Sequence, residues 1–230
     1  QPLFSRRDGA RVTAVVVASD RGLCGGYNAA VLRQAEAFVR DNGGPQAVEI
    51  YAVGRRARDF LRKRDYNVIE ARVGLGGNVT VETSNAVADA MVGRFLDGRT
   101  QRVVLIFNRF VSNVAYTPAV ASFLPLAPDE LAAGVPRDDA FHHEVDYIFE
   151  PDARRVFEAL LPRYVQTRVY SALLEAMTTE HIARRIAMNN ATENCDEMVK
   201  SLSLKANKAR QAAITKEILE IVGGAEALKG

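Results

Sequence analysis

The feature that most constrains this sequence is a long stretch without glycine in its C-terminal third. From Asp152 to Val222 the chain contains one proline, Pro162, and is dominated by Ala, Leu, Arg, Glu and Met. These residues are good helix formers, so the stretch predicts one long helix, kinked where Pro162 removes a backbone donor. The segment Arg163–Val222 would span roughly 90 Å at about 1.5 Å per residue.

A helix of this length needs a partner along its apolar stripe. Apolar or small residues recur at spacings of mostly three and four, which is typical of a coiled coil. The stripe consists of Val165, Val169, Ala172, Ala176, Ala183, Ile186, Ala191, Cys195, Met198, Leu202, Ala206, Ala209 and Ala213. Nothing else in the sequence is long enough to lie against it, so we expect the partner to be another chain or a missing segment. A helix folded back into a bundle is disfavoured, because no turn signal occurs before Gly223-Gly224.

The preceding part of the chain alternates strand and helix signals, which predicts an α/β domain. Strands are predicted at Arg11–Ser19, Val48–Val53, Tyr66–Glu70, Val103–Asn108, Ala119–Leu124 and Val145–Phe149, and helices at Tyr27–Arg40, Arg55–Arg64 and Val81–Leu96. We therefore expect residues 1–150 to form a Rossmann-like open sheet with helices on both faces. Residues 151–230 are expected to form the long C-terminal helix of an antiparallel coiled coil.

Composition excludes several classes of function. The net charge is +2 and the charges are dispersed, so no basic face indicates nucleic acid binding. No apolar run approaches the roughly 20 residues needed to cross a bilayer. Cys24 and Cys195 lie far apart, give no metal-ligand spacing, and are expected to be two buried thiols in a reducing compartment. No charged-then-apolar leader supports secretion.

The turn Ser19–Asn28 allows three interpretations. Gly22-Leu23-Cys24-Gly25-Gly26 fits a nucleophile elbow with Cys24 as the attacking group, but no residue orients any of the three histidines, His142, His143 and His181, as its base. The glycines could instead hold a phosphate at a helix N-terminus, although the pattern matches neither a dinucleotide fingerprint nor a Walker loop. The favoured interpretation is a structural turn in which Cys24 is a small buried hydrophobe.

Three motifs resemble ATP synthase gamma subunits, in the same order. They are Ser19–Asn28 (SDRGLCGGYN), Tyr147–Asp152 (YIFEPD) and Asn207–Ala225 (NKARQAAITKEILEIVGGA). A fourth stretch, Arg185–Asn194, resembles a helical segment of the same family. The resemblance covers essentially the whole chain, but the family's N-terminal helix is absent, which would account for the missing partner of the stripe.

The resemblance implies a role for each motif. Arg210 and Gln211 would contact an acidic loop of a beta subunit, called the catch. The apolar residues Ile214, Ile218, Ile221 and Val222 would turn inside a sleeve of the alpha–beta hexamer, with Leu228 in the same cluster. Tyr147 and Glu150 would contact the c ring. The turn residues Asp20, Arg21, Gly22, Gly25 and Gly26 would be structural.

The resemblance also implies partners and a mechanism. The chain would be a rotor subunit that contacts the alpha and beta subunits, the epsilon subunit and the c ring, without catalytic residues, metal or cofactor of its own. It would lie on the cytoplasmic face of a bacterial cell membrane and carry proton-driven rotation into the hexamer. The alternatives are a freestanding α/β enzyme, which leaves the long helix unexplained, and a coiled-coil scaffold unrelated to ATP.

Overall fold

The computed structural model describes residues 2–5, 7, 9, 11–127, 150 and 152–228. A short 3-10 helix, Pro2–Phe4, precedes the sheet. In chain order, the remaining elements of this described part are β1 (Val12–Val17), α1 (Tyr27–Asp41), β2 (Val48–Val53), α2 (Arg55–Arg62), β3 (Val68–Arg72), α3 (Val81–Leu96), β4 (Arg102–Ser112), β5 (Ala115–Leu124) and α4 (Ala153–Ala227). The predicted strand at Val145–Phe149 lies outside the described residues.

The strands form one mixed sheet in the order β3-β2-β1-β4-β5. Strands β1 to β4 are mutually parallel, and β5 pairs antiparallel with β4. The order reverses between β1 and β4, which is the point where doubly wound folds bind ligands. The predicted Rossmann-like α/β fold with a long C-terminal helix is confirmed.

Helices cover both faces of the sheet, because the central strands are apolar on both sides. On one face Ala14, Val16, Ile50 and Ile106 pack against α1 and α2. On the other face the alternate residues of the same strands contact α3 and the first part of α4, and this core includes Val15, Val17, Tyr51, Leu105, Phe107, Val87, Met91, Phe95, Leu161, Val165, Val169 and Leu173. Burial on both faces is consistent with the composition of β1, in which every residue is buried and all but Ala14 are β-branched.

The chain divides into two compact units, Gln1–Arg185 and Ile186–Gly230. In the first unit, the stripe residues Val165, Val169, Ala172, Ala176 and Ala183 are buried. Four of these stripe residues, Val165, Val169, Ala172 and Ala176, belong to the hydrophobic core on one face of the sheet. The sequence analysis expected the partner of this part of the stripe to come from outside the chain, whereas the chain's own sheet supplies it. Small alanine side chains allow the helix backbone to approach the strands closely.

In the second unit, all described residues from Met188 to Leu228 are exposed. Helix α4 continues through Gly223 and Gly224, the first turn signal in this part of the sequence, and reaches Ala227. Cys195 belongs to this exposed part, so the expectation that both thiols are buried is wrong for Cys195. The side chain lies on a stripe that has no cover within the described chain.

Candidate functional site

The turn between β1 and α1 is held by a compact set of side-chain bonds. Asn28 Oδ1 accepts from the backbone N of Ser19 at 3.0 Å and from its hydroxyl at 2.9 Å. The Ser19 hydroxyl also contacts the carbonyl of Arg21. Gly25 has φ 55° and Leu23 has φ 62°, a left-handed backbone that favours glycine and is uncommon for leucine. The chain reverses here within a few residues and delivers Tyr27 to the start of α1.

Asp20 connects this turn to two neighbouring segments. Its Oδ1 accepts from the backbone N of Arg55 at 2.9 Å and of Gly74 at 3.1 Å, and its Oδ2 accepts from Gly76 N at 3.3 Å. Burial raises the pKa of Asp20, but the backbone bonds from Gly74, Arg55 and Gly76 together outweigh it and lower the pKa below its ordinary value. The carboxylate thus occupies an anion-binding arrangement of N–H groups.

Gly22 lies close to the end of the Arg56 side chain. A Cβ at this position would lie 2.9 Å from an Nη of Arg56, so a side chain here would require the flexible guanidinium to shift. Gly26 precedes α1, and Arg21 is exposed. All five residues predicted to be structural therefore lie in one turn, together with Cys24.

Cys24 is buried, and its Sγ accepts from the Asn28 amide at 3.2 Å. The one described histidine, His181, instead contacts the carbonyl of Gly77, and His142 and His143 lie outside the described residues. In the part of the chain that the structure describes, no group of His, Cys, Asp or Glu has the arrangement of a metal site. The nucleophile interpretation therefore gains no base from the described residues.

Three hydrogen bonds within the first compact unit join helix α4 to the start of α1, to the turn after β1 and to the loop after β3. Tyr27 Oη donates to the carbonyl of Ala176 at 2.8 Å. Arg184 donates to Glu180 at 2.6 Å and to the carbonyl of Gly22 at 3.4 Å. His181 Nε2 lies 3.3 Å from the carbonyl of Gly77.

Two further bonds join α4 to the β4–β5 hairpin. Glu175 accepts from Phe110 N at 2.9 Å, and Arg168 donates to Ser122 O at 2.9 Å. Each of them reaches a backbone group of the hairpin.

The start of α4 carries the second predicted site. Asp152 Oδ1 accepts from Arg155 N at 2.9 Å, three residues on, which is the geometry of an N-cap. Glu150 is exposed just before it, and Tyr147 lies outside the described residues. A capped start adjacent to an exposed carboxylate leaves Glu150 available for an external contact.

The third predicted site lies in the second compact unit. Arg210 and Gln211 are exposed there. Ile214, Ile218, Ile221 and Val222 are between 48% and 72% exposed, and Leu228 is 89% exposed. Large apolar side chains exposed together on one helix indicate a binding surface rather than a solvated face.

The sequence analysis missed the residues that join α4 to the turn after β1, and a buried residue of β4 beside that turn. Tyr27, Arg184 and Asn108 bond to partners far along the chain, which periodicity does not reveal. Glu180, which holds Arg184, lies only four residues from it. Asn108, for example, is fully buried and donates to the carbonyl of Tyr27 at 2.9 Å. Its position at the carboxyl end of a predicted parallel strand, next to the turn after β1, was the one available hint.

Helix α4 carries many exposed apolar side chains in its second part. This feature is typical of a subunit that assembles with other chains. No helix among the described residues is long and apolar enough to cross a membrane. A family model described as ATP synthase matches residues 1–228. The chain belongs to the ATP synthase gamma chain family.

Relatives in that family are similar over nearly the whole chain. The ATP synthase gamma chain of Pelotomaculum thermopropionicum is 40% identical over 228 residues, which cover 99% of this chain and 77% of the relative. That of Moorella thermoacetica is 42% identical over 229 residues, covering 100% and 77%. Gamma chains are non-catalytic subunits of an ATP synthase complex that is associated with a membrane.

Solved structures agree in fold. The central stalk and c-ring structure of the Tetrahymena thermophila mitochondrial ATP synthase contains a chain with a TM-score of 0.63 at 25% identity, covering 82% of this chain and 79% of that one. A chain of the Euglena gracilis mitochondrial ATP synthase has a TM-score of 0.69 at 21% identity, covering 95% and 73%.

Proposed function

We propose that this chain is the rotating central-stalk subunit of a proton-driven ATP synthase. Rotation of the c ring would turn the α/β domain, and helix α4 would carry that rotation into the hexamer of alpha and beta subunits. Each beta subunit would then meet a different side of the shaft and be biased towards a different conformation, as differential contacts require. The reaction itself belongs to the beta subunits.

The observation that carries this proposal is the contrast between the two compact units of a gamma-family chain. In the first unit the stripe of α4 is buried on the sheet, whereas the described residues from Met188 onwards are exposed. A single helix with this many exposed apolar side chains is stable when other chains cover it. The hexamer, and the second helix of a coiled coil, are the expected cover.

Arg210 and Gln211 are proposed to contact an acidic loop of a beta subunit. A guanidinium offers donors in a fixed fork that matches a carboxylate, and Arg210 is exposed with no ion pair to another described residue. Ile214, Ile218, Ile221 and Val222 are proposed to turn against the apolar inner surface of the hexamer. Apolar contacts suit a bearing because they are non-directional.

The α/β domain is proposed to sit on the c ring. Glu150 and Tyr147 would face the ring's polar loops, and the epsilon subunit would bind the same part of the stalk. In a bacterial cell, a chain bound to the c ring in this way would lie at the cytoplasmic face of the membrane. The turn Asp20, Arg21, Gly22, Gly25 and Gly26 is proposed to be structural, and the backbone bonds to Asp20 and the left-handed backbone of Gly25 support this.

The test uses the gamma polypeptide that carries this chain, reconstituted with its alpha, beta and epsilon subunits and the membrane sector. Arg210→Ala removes one charge-assisted contact of about 1.5–3 kcal/mol, which weakens the proposed contact with the beta subunit about tenfold or more, and is expected to lower ATP-driven proton pumping. The melting temperature of the isolated gamma polypeptide should stay the same, since the side chain is exposed. Proton pumping per ATP hydrolysed is the measurement.

Lys200→Ala is the matched control, because it removes another exposed cation of the same unit. We expect this variant to pump like the parent. Equal pumping by the Arg210→Ala variant and the parent would contradict the catch assignment. Failure of the parent polypeptide to support any coupled activity would contradict the rotor function itself.

A further inference from the structure

Two kinds of contact hold helix α4 on the sheet in the first compact unit. Apolar residues Leu161, Val165, Val169 and Leu173 pack into the core. Such contacts hold the helix down through interlocking side chains, but they are non-directional. After Leu173 the buried positions of the helix are Ala176, Thr179 and Ala183, which have little side chain to interlock, so apolar packing resists rotation about the helix axis least there.

Directional bonds occur where the apolar side chains become small. The Tyr27 hydroxyl donates to the backbone carbonyl of Ala176 at 2.8 Å in a buried position, and Tyr27 itself is 1% exposed. Burial raises the pKa of Tyr27 far above its usual value, so the phenol remains a donor throughout the physiological range. A bond to a backbone carbonyl fixes the helix itself rather than a mobile side chain.

Arg184 provides a second bond about two turns further on. It is held by Glu180 at 2.6 Å and donates to the carbonyl of Gly22 at 3.4 Å. The exposed fractions of the two side chains are 26% for Arg184 and 12% for Glu180. A partly buried ion pair keeps the guanidinium in one orientation, so Arg184 reaches the turn after β1 from a fixed angle.

His181 makes a third bond, to a different segment of the domain. Its Nε2 lies 3.3 Å from the carbonyl of Gly77, in the loop that follows β3. That loop is itself tied to the turn through Asp20, which accepts from Gly74 and Gly76. The turn and the loop therefore form one connected support, which bonds to the helix at Ala176, His181 and Arg184.

We propose that these three bonds, here called the anchor contacts, fix the angle of helix α4 about its own axis against the α/β domain. Tyr27 and Arg184 are positioning residues for torque transfer, and the turn Ser19–Asn28 is the part of the domain that bears the torque. This inference rests on the proposed rotor function. The compact unit ends at Arg185, so the anchor contacts lie in the last turns of α4 that pack on the domain.

The position of the anchor contacts follows from mechanics. Torque that enters at the domain and leaves through residues beyond Arg185 must cross the helix between them. The bond from Phe110 N to Glu175 lies beside Ala176 and adds to the restraint from the anchor contacts. The bond from Arg168 to Ser122 lies nearer the start of α4 and leaves more helix free to twist. A restraint in the last packed turns keeps the free length of the shaft short.

The experiment measures rotational stiffness in the assembled complex, with the hexamer immobilised and a probe attached to the α/β domain. The double variant Tyr27→Phe, Arg184→Gln removes two of the three anchor contacts. The bond from Phe110 N to Glu175 also remains, so for four contacts of similar strength acting in parallel the loss of two should raise the angular variance of the probe about twofold. ATP hydrolysis without load should change little, while proton pumping against a gradient should fall.

Tyr51→Phe is the matched control. It removes the same hydroxyl from a buried tyrosine whose partners are Glu70 and Arg72, away from helix α4. The angular variance of this control should equal that of the parent, and Arg184→Lys, which keeps a cation, should restore part of the lost stiffness.

An unchanged variance in the double variant would overturn the inference, as would an equal rise in a Tyr51→Phe complex of matched melting temperature. In both cases a parent complex that rotates and pumps would leave the proposed rotor function standing.

Discussion

The Asp20 carboxylate occupies a position at the carboxyl edge of the sheet where doubly wound folds often bind an anionic ligand. Backbone N–H groups of Arg55, Gly74 and Gly76 converge on its carboxylate at the carboxyl edge of the sheet. An internal carboxylate satisfies these donors permanently, so the turn needs no ligand to be ordered. The sequence indicated a glycine-rich turn here, but not which side chain would occupy it, because the donors belong to segments distant along the chain.

Replacing Asp20 by Asn tests this at the scale of one residue. The folded-state pKa is depressed, so the carboxylate stabilises the fold above its ordinary pKa of 3.8, and that contribution is lost as the pH falls through the folded value. At neutral pH we expect the variant to lose about 1–2 kcal/mol of unfolding free energy. Urea denaturation at pH 7 and near pH 3 measures it, and a difference that failed to shrink in acid would contradict the charge-based explanation.

Among the elements, those bounded by strong local signals were predicted from the sequence. Strand β2 and helix α3 have the predicted limits, since Gly, Pro and Thr residues mark their ends. Strands β4 and β5 are longer than predicted, because hairpin pairing extends from Val103–Leu124 to Ser112–Ala115. That pairing depends on two segments meeting, which periodicity within either one does not encode.

The same reasoning explains the error about the stripe of α4. Periodicity identified which residues of the helix would be buried, such as Val165 and Val169, but not what would bury them. A narrow alanine-rich stripe suits a second helix and a flat sheet equally well. The anchor contacts were invisible for the same reason, since Tyr27 and Ala176 are 149 residues apart.

Helix α3 offers a test at the scale of one element. Thr80 accepts from Thr83 N at 3.2 Å and caps the helix in an extended conformation. Thr80→Ala should lower the unfolding free energy by about 1 kcal/mol, whereas Thr80→Ser should retain most of it. Thermal or urea unfolding of the polypeptide provides the measurement, and equal losses in both variants would argue against capping.

At the scale of the whole molecule, one helix serves two environments. Its buried residues up to Ala183 pack in the first compact unit. Its described residues from Met188 onwards are exposed and available to other subunits. The relatives that are about 40% identical over nearly the full chain are ATP synthase gamma chains, which are subunits of a larger complex.

The reactivity of the two cysteines distinguishes the buried part of the chain from the exposed part of α4. In the isolated polypeptide, exposed Cys195 should react with iodoacetamide at least about tenfold faster than buried Cys24, because modification follows access to the thiolate. Assembly with the alpha and beta subunits should protect Cys195, and peptide mass spectrometry after timed labelling measures both rates. Persistent labelling of Cys195 in a working complex would show that this part of the helix stays uncovered there.

Because α4 runs unbroken from Ala153 to Ala227, the count of residues along it is also a measure of direction. Each residue turns an α-helix by about 100°, so a single insertion rotates every later side chain of the helix by about that angle around the helix axis. The direction in which a given side chain of α4 points can therefore change only in steps of this size when residues are added or removed.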